Sequence, residues 1–394
     1  MNGAMKLIRN ARLYAPEDLG CMDVLIGGGK ILRIGESLPA EEAYHVEVID
    51  GSGKIMMPGL IDAHVHILGG GGEGGYRTRT PEIMLSDIIC GGVTTVVGCL
   101  GTDGTTRTMT NLIAKARGLE EEGITAYIYT GSYQIPVRTL TGSVADDLIL
   151  LDKVIGTGEI AISDHRSSQP TYEEFARIVA DTRVGGILSG KAGIVNIHMG
   201  DGREQLDYLR RLLRESQIPA SNMLPTHINR NKSLMSDGID YARRLGGYID
   251  LTTSSDPDFL DPDEVKASAG LKMALDAGVD AGHMTFSSDG QGSLPVFDEK
   301  GNFRHLGVGK VSSLYREMKD AVLKDGVRLA DALKTVTSNP AFLLKLKGKG
   351  RITEYADADL VLSASDTLEI DTVIAGGDTV VSGGEVLKRG TFEY

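Results

Sequence analysis

Gly59-Leu60-Ile61-Asp62-Ala63-His64-Val65-His66 is a short apolar run that ends in two imidazoles, and a glycine-rich loop, 69–72, follows it directly. Successive side chains of a strand alternate between its faces, so residues at i and i+2 share one face. His64 and His66 therefore project together from the end of the strand. Two nitrogen donors so placed form half of a metal site, and a barrel of parallel strands is the fold that sets such ends side by side.

The rest of the chain repeats the pattern. Apolar runs at 94–97, 126–130, 160–163, 194–198, 248–252 and 284–287 alternate with amphipathic stretches such as 111–122, 172–182 and 203–216. Strand-helix alternation sustained from 55 to 346 implies a parallel sheet, and this many repeats implies an α/β fold closed as a TIM-like (β/α)8 barrel. The two ends read differently. Short β-rich runs at 6–12, 22–26, 30–34 and 47–49, and again at 359–363, 371–375, 379–381 and 385–387, are separated by glycines. Residues 1–54 and 347–394 are accordingly expected to form one small β-sandwich domain beside the barrel.

Composition narrows the partners. The chain has 394 residues, a net charge of −13 and three cysteines, Cys21, Cys90 and Cys99. An acidic balance without a Lys/Arg-rich run excludes a nucleic-acid footprint. No apolar run approaches the ~18 residues of a membrane span, and residues 1–10 lack the apolar segment of a secretory signal. An odd number of cysteines without C-x-x-C spacing argues against a disulfide framework and fits a reducing compartment. The expectation is a cytoplasmic protein that binds neither nucleic acid nor membrane.

Chemistry in such a barrel sits at the C-terminal ends of strands. His198 ends the run 193–198, His227 follows 222–226, and Asp289 follows 284–288. Glu159 stands just before the run 160–164, which places it at the start of a strand rather than its end. A Gly-Glu pair also reads as a solvated loop charge, and Asp289-Gly290 as a turn. Four neutral imidazoles with carboxylates suit Zn2+ or a similar divalent ion, and six ligands exceed what one tetrahedral ion needs, so two metals are the simpler account. His45, His283 and His305 have no such context and read as surface or packing residues.

At these residues the chain resembles the amidohydrolase superfamily, and within it the isoaspartyl (β-aspartyl) dipeptidases, over essentially its full length. The matching stretches are Pro58 to His66, Gly69-Gly70-Gly71-Gly72-Glu73, Leu100-Gly101-Thr102-Asp103, Ser163-Asp164-His165-Arg166, His198-Met199-Gly200-Asp201, Pro225-Thr226-His227-Ile228-Asn229-Arg230 and Ser287-Ser288-Asp289-Gly290. His-x-His alone indicates the superfamily; the Glu73 loop with His227-x-x-Arg230 indicates the dipeptidases. The resemblance implies two Zn2+ per subunit, with His64, His66 and Asp289 on one, His198 and His227 on the other, and a bridging hydroxide. It implies Asp289 as general base and then acid, and Tyr133 as hydrogen-bond donor to the developing oxyanion. For a small dipeptide substrate it assigns Glu73 to the ammonium, Gly71, Thr102 and Ser293 to the α-carboxylate, and Arg166 and Arg230 to the C-terminal carboxylate. It also implies a symmetric homo-oligomer, an octamer.

One position departs from the family. A lysine carboxylated by CO2 normally bridges the two metals, and the matching residue here, seven before Arg166, is Glu159. Glutamate keeps the two-oxygen anion but is roughly 4–5 Å shorter in reach. Gly156 and Gly158 permit unusual backbone angles, so the segment is expected to bulge inward and let Glu159 bridge directly. Lys153, in the helical-looking 146–154, and Lys191, before its strand, are too low in the barrel to substitute. Two other readings remain: hydrolysis of cyclic amides or N-acyl amino acids, as in dihydroorotases, hydantoinases and acylases, which needs no Glu73; and a non-catalytic scaffold, against which the complete ligand set argues.

Overall fold

The computed structural model describes residues 5–39, 46–255, 261–297 and 303–394; His45 lies outside them. Among the described residues, five strands open the chain: β1 (Lys6–Tyr14), β2 (Asp18–Gly27), β3 (Lys30–Gly35), β4 (Glu47–Asp50) and β5 (Lys54–Pro58). Eight more follow, β6 (Leu60–Val65), β7 (Val93–Gly98), β8 (Thr125–Thr130), β9 (Val154–Ile162), β10 (Ile194–Met199), β11 (Met223–Thr226), β12 (Ile249–Thr252) and β13 (Met284–Ser287). A hairpin, β14 (Ser293–Phe297) with β15 (Phe303–Val308), comes next, and β16 (Leu360–Ala364), β17 (Ile370–Ala375), β18 (Asp378–Ser382) and β19 (Glu385–Val386) end the chain.

Strands β6 to β11 pair in sequence order, all parallel, and β12 pairs in parallel with β13. The ring closes where the chain beyond β13 returns to β6: Asp289 N donates to His64 O at 3.1 Å and His66 N donates to Gly290 O at 2.9 Å. Helices cover the outside, so β7, β9 and β10 are buried at every position, which is why they read as unbroken apolar runs rather than alternating ones. Alternate residues still go to different layers. Val96 packs with the helix residues Leu112 and Leu119, whereas Val97 and Cys99 join Ile61, Tyr129, Ile155 and Leu224 inside the ring, closed off by Leu343, Leu344 and Leu346.

Helix boundaries differ from expectation where local chemistry overrides the apolar period. The helix Tyr172–Ser189 starts at a reciprocal cap, Glu174 N donating to Thr171 Oγ1 and Thr171 N to Glu174 Oε2, and it ends at Gly190 with φ 69°; such a cap contributes about 1 kcal/mol. It runs past 182 because Gly186 lets it lie directly on the loop before β10, where a Cβ would come within 2.4 Å of Gly193 Cα. The stretch 203–216 forms a shorter helix, Asp207–Glu215. Lys153 is not helical but lies in the turn before β9, paired with Glu120, and Lys191 Nζ donates to Leu148 O and Leu151 O. Both lysines are thus engaged below the strand ends.

The two chain ends share one mixed sheet, ordered β19-β18-β17-β16-β5-β1-β2-β3 with β4 also on β1. It encloses its own core of Ile8, Leu13, Val24, Ile31, Met56, Leu360 and Ile374. Strand β5 belongs to this sheet, so the passage into the barrel falls at Gly59. No helix among the described residues is long and apolar enough to cross a membrane, and Cys21, Cys90 and Cys99 are all free thiols.

Candidate metal centre and substrate cleft

Glu159 stands within β9, its sixth residue, because the strand begins at Val154 and not at residue 160. In the ladder with β10, Thr157 pairs with Val195 and Ile160 pairs with Ile197, leaving Gly158 and Glu159 together opposite Asn196. The extra residue is a β-bulge, a device that re-aims a side chain. Gly158 permits it, with φ 155° and a backbone so close to β10 that a Cβ would lie 2.8 Å from Asn196 O.

The bulge delivers a fully buried carboxylate to the centre of the ring. Glu159 Oε1 is 2.7 Å from His198 Nδ1 and 3.2 Å from His227 Nε2, while Oε2 is 3.4 Å from His64 Nε2 and 3.8 Å from His66 Nε2. Asp289 Oδ1 lies 3.0 Å from His66 Nε2 and 3.6 Å from His64 Nε2. The structure therefore brings all six expected ligands together, with the two oxygens of one carboxylate turned to two separate sets of nitrogens. Neighbours orient the rings. His64 Nδ1 lies 3.0 Å from Asn196 Oδ1, and His227 Nδ1 is 2.6 Å from Thr252 Oγ1. An amide oxygen accepts only from N–H, so Asn196 leaves the Nε2 lone pair of His64 facing the centre.

The donor set fits divalent cations. His64 Nε2, Glu159 Oε2 and Asp289 Oδ1 are buried without a hydrogen-bond partner, an arrangement that costs free energy unless something else binds there. Burial works against charge on His64 and His66, yet both are raised well above the ordinary imidazole value by Cys99 and, respectively, by Glu159 and Asp289. Burial would raise the Glu159 carboxyl, but His64 and His198 hold it well below its usual range. The cluster thus draws in positive charge, which protons or metal ions can supply. Burial pushes His227 down to about 3, keeping it a neutral donor at ordinary pH. Asp289 is buried as well, and the close approach of His66 outweighs that burial and lowers its carboxyl below the usual value.

Above the cluster opens a cleft of about 1360 Å3, lined by Gly71, Glu73, Thr102, Tyr133, Arg166, Arg230 and Ser293 together with His66, His198, His227 and Asp289. Tyr133 is buried with its hydroxyl 2.8 Å from His198 Nδ1. Gly71, φ 69°, is packed so tightly that a Cβ would meet Thr78 O at 2.6 Å and Ser293 Cβ at 2.9 Å, so its backbone and Ser293 share one wall. The Thr102 hydroxyl donates to Glu73 Oε1 at 2.9 Å. Arg166 Nη1 is 3.7 Å from the same Glu73 oxygen, and Arg230 Nη2 approaches His198 Nε2 at 3.5 Å.

Four neighbours of this site went unassigned in the sequence. Asn196 stands two before His198 on the same strand, and Thr252 ends β12, so strand position is a signal that could have found both. Asp164 lies inside a quoted stretch and binds both Arg166 and His198. Cys99 Sγ is 3.7 Å from His66 Nδ1, and its ligand atom clusters with those of His64, His66 and Glu159; a lone cysteine in an apolar run carries no signal of that position. Of the histidines read as packing, His283 stacks on Tyr248 as expected, whereas His305 lines the cleft.

Comparison with known proteins bears on the fold and the family. Residues 55–380 match the model of the amidohydrolase family. The structure superposes on β-aspartyl dipeptidase from Fervidobacterium islandicum AW-1 in complex with β-Asp-Leu dipeptide with a TM-score of 0.89 and 48% identity, covering 99% of this chain and 100% of that one. By sequence, dihydroorotase of Streptococcus pyogenes is 25% identical over 91% of this chain and 90% of its own length, and allantoinase of Enterococcus faecalis is 25% identical over 86% and 82%. With the family match spanning most of the sequence and the barrel, its strand-end histidines and its buried carboxylates in place, the chain belongs to the amidohydrolase family.

Proposed function

We propose that this protein is a metal-dependent β-aspartyl dipeptidase. The observation that carries the reading is the approach of Arg166 and Arg230 to the outer edge of His198, with Glu73 beside Arg166 in the same cleft. A β-aspartyl dipeptide bears one ammonium and two carboxylates, and a carboxylate with two guanidinium groups is the donor set that matches it. The similarity to a β-aspartyl dipeptidase at 48% identity supports the same substrate class.

His64, His66 and Asp289 would hold one Zn2+ and His198 and His227 another, with Glu159 shared between them. Zn2+ so bound lowers the pKa of water to about 7 and polarises a carbonyl. Asp289, ionised and at the cleft floor, accepts the proton of the attacking water and returns it to the leaving amine. Tyr133, whose hydroxyl stays protonated because burial raises it well above 10, donates to the carbonyl oxygen as charge builds there. Glu73 takes the ammonium, Ser293 and the Gly71 backbone take the α-carboxylate, and Arg166 and Arg230 take the C-terminal carboxylate.

Cyclic-amide hydrolysis is the second reading, favoured by the 25% identity to dihydroorotase and allantoinase. Incubation of the purified protein with isoAsp-Leu, Asp-Leu and a cyclic amide, with and without chelator, separates the two. Chelator-sensitive cleavage of isoAsp-Leu alone is the expected result, and ring opening without dipeptide cleavage refutes it.

A further inference from the structure

Asp164 is 6% exposed and follows the end of β9 by two residues, packed on Gly200, where a Cβ would come within 2.5 Å of it. Its carboxylate is shared between two groups of different purpose. Oδ1 accepts from Arg166 Nε at 3.0 Å and from the Arg166 amide at 2.7 Å, and Oδ2 accepts from Arg166 Nη2 at 2.8 Å. The same Oδ2 lies 2.9 Å from His198 Nε2.

Each contact has a directional consequence. Nδ1 of His198 faces Glu159 Oε1 at 2.7 Å, and if a metal ion takes that nitrogen the hydrogen left on His198 is on Nε2. Of the groups there, Arg166 Nη2 at 3.1 Å and Arg230 Nη2 at 3.5 Å only donate, so Asp164 Oδ2 is the one that can accept it. On the other side, the fork formed by Nε and Nη2 of Arg166 is already used. Nη2 also sits 3.1 Å from His198 Nε2, so the donors left to a ligand are those of Nη1, the end of the guanidinium nearest Glu73.

We propose that Asp164 is a positioning residue that serves both halves of the site at once, fixing the metal-facing tautomer of His198 and turning the free end of Arg166 toward the substrate's C-terminal carboxylate. This rests, for its second half, on the dipeptidase reading above; the first half does not depend on the substrate.

The test uses Asp164→Asn, which keeps the shape but offers one acceptor where two are needed. Equilibrium dialysis of the metal-depleted protein against Zn2+ reads the first half, and a fall in affinity of roughly 10–100-fold is expected. Steady-state kinetics on isoAsp-Leu and isoAsp-leucinamide read the second: KM should rise several-fold for isoAsp-Leu and little for the amide, which lacks the carboxylate. In an Arg166→Met background the same substitution should no longer alter KM yet should still weaken Zn2+ binding. Unchanged Zn2+ affinity overturns the proposal, and so does an equal rise in KM for both substrates. If the unaltered protein fails to cleave isoAsp-Leu, the dipeptidase reading and the carboxylate half fall together, and dialysis alone decides the tautomer half. Should Asp164→Asn lose its cooperative thermal transition, Asp164→Glu replaces it under the same two readouts.

Discussion

Glu159 Oε1 lies 2.7 Å from His198 Nδ1, and the other oxygen of that carboxylate is turned to His64 Nε2 on the opposite side of the centre. On the proposed function, this encoded carboxylate is the two-oxygen anion shared by the two sets of nitrogens. Glu159→Gln keeps the shape and removes the charge, so metal content per chain, measured by elemental analysis after dialysis, should drop. Activity of the unaltered protein should be the same in CO2-depleted buffer and in bicarbonate. Full metal content in the variant, or activity restored by bicarbonate, rules out Glu159 as the bridge.

Gly158 is the backbone condition for that reach. A Cβ there would sit 2.8 Å from Asn196 O and 2.9 Å from Asn196 Cβ, too close without moving β9 or β10. Gly158→Ala is expected to cost about 1–3 kcal/mol of stability, as overpacking does, and to lower metal affinity by displacing Glu159. Gly118 offers the contrast: it lies in the helix Met109–Glu122 with nothing within 4 Å of a Cβ, and Gly118→Ala should stabilise by about 0.5–1 kcal/mol. Thermal unfolding of both variants alongside Zn2+ titration checks the pair.

The barrel and most of the centre were legible because their signals are periodic or positional. Runs without polar alternation announced buried parallel strands, and His64, His66, His198 and Asp289 each fell at the end of one. Glu159 was harder, since a bulge changes the register without changing the composition. The glycines pointed to the bulge, but only the pairing of Thr157 with Val195 and of Ile160 with Ile197 locates it. The bond from Thr102 Oγ1 to Glu73 Oε1 depends on loop packing, and a single sequence does not encode that in its spacing. Cys99 was invisible for a related reason: in an apolar strand it passes as a small core residue.

Arg230 and Glu73 should separate binding from chemistry. Arg230 Nε is buried with no partner, so a carboxylate in the cleft would satisfy it. A hydrogen bond between charged groups contributes about 1.5–3 kcal/mol, so Arg230→Met should raise KM for isoAsp-Leu roughly 10–150-fold with a smaller change in kcat. Glu73→Gln should raise KM for isoAsp-Leu while leaving an analogue without the free ammonium unaffected. A loss confined to kcat in either variant would remove that residue from ground-state recognition.

Asp103 makes the loop over the cleft sensitive to acid. Burial alone would raise its carboxyl, but the hydroxyl and amide of Thr106, the amide of Thr105 and the charge of Arg79 bring it down to about 2. A carboxyl depressed in the folded chain binds its proton less readily there than in the unfolded one. It therefore stabilises the fold fully above the unfolded value of about 3.9, and that contribution disappears as pH falls through about 2. Arg79 lies beside Gly71 and Gly72 in the loop that carries Glu73, so the same protonation is expected to loosen that loop. Thermal midpoints of the unaltered protein and of Asp103→Asn, taken between pH 6 and 2, should differ most at the upper end and converge at the lower. A gap that stays constant with pH would show that Asp103 acts through its shape and not its charge.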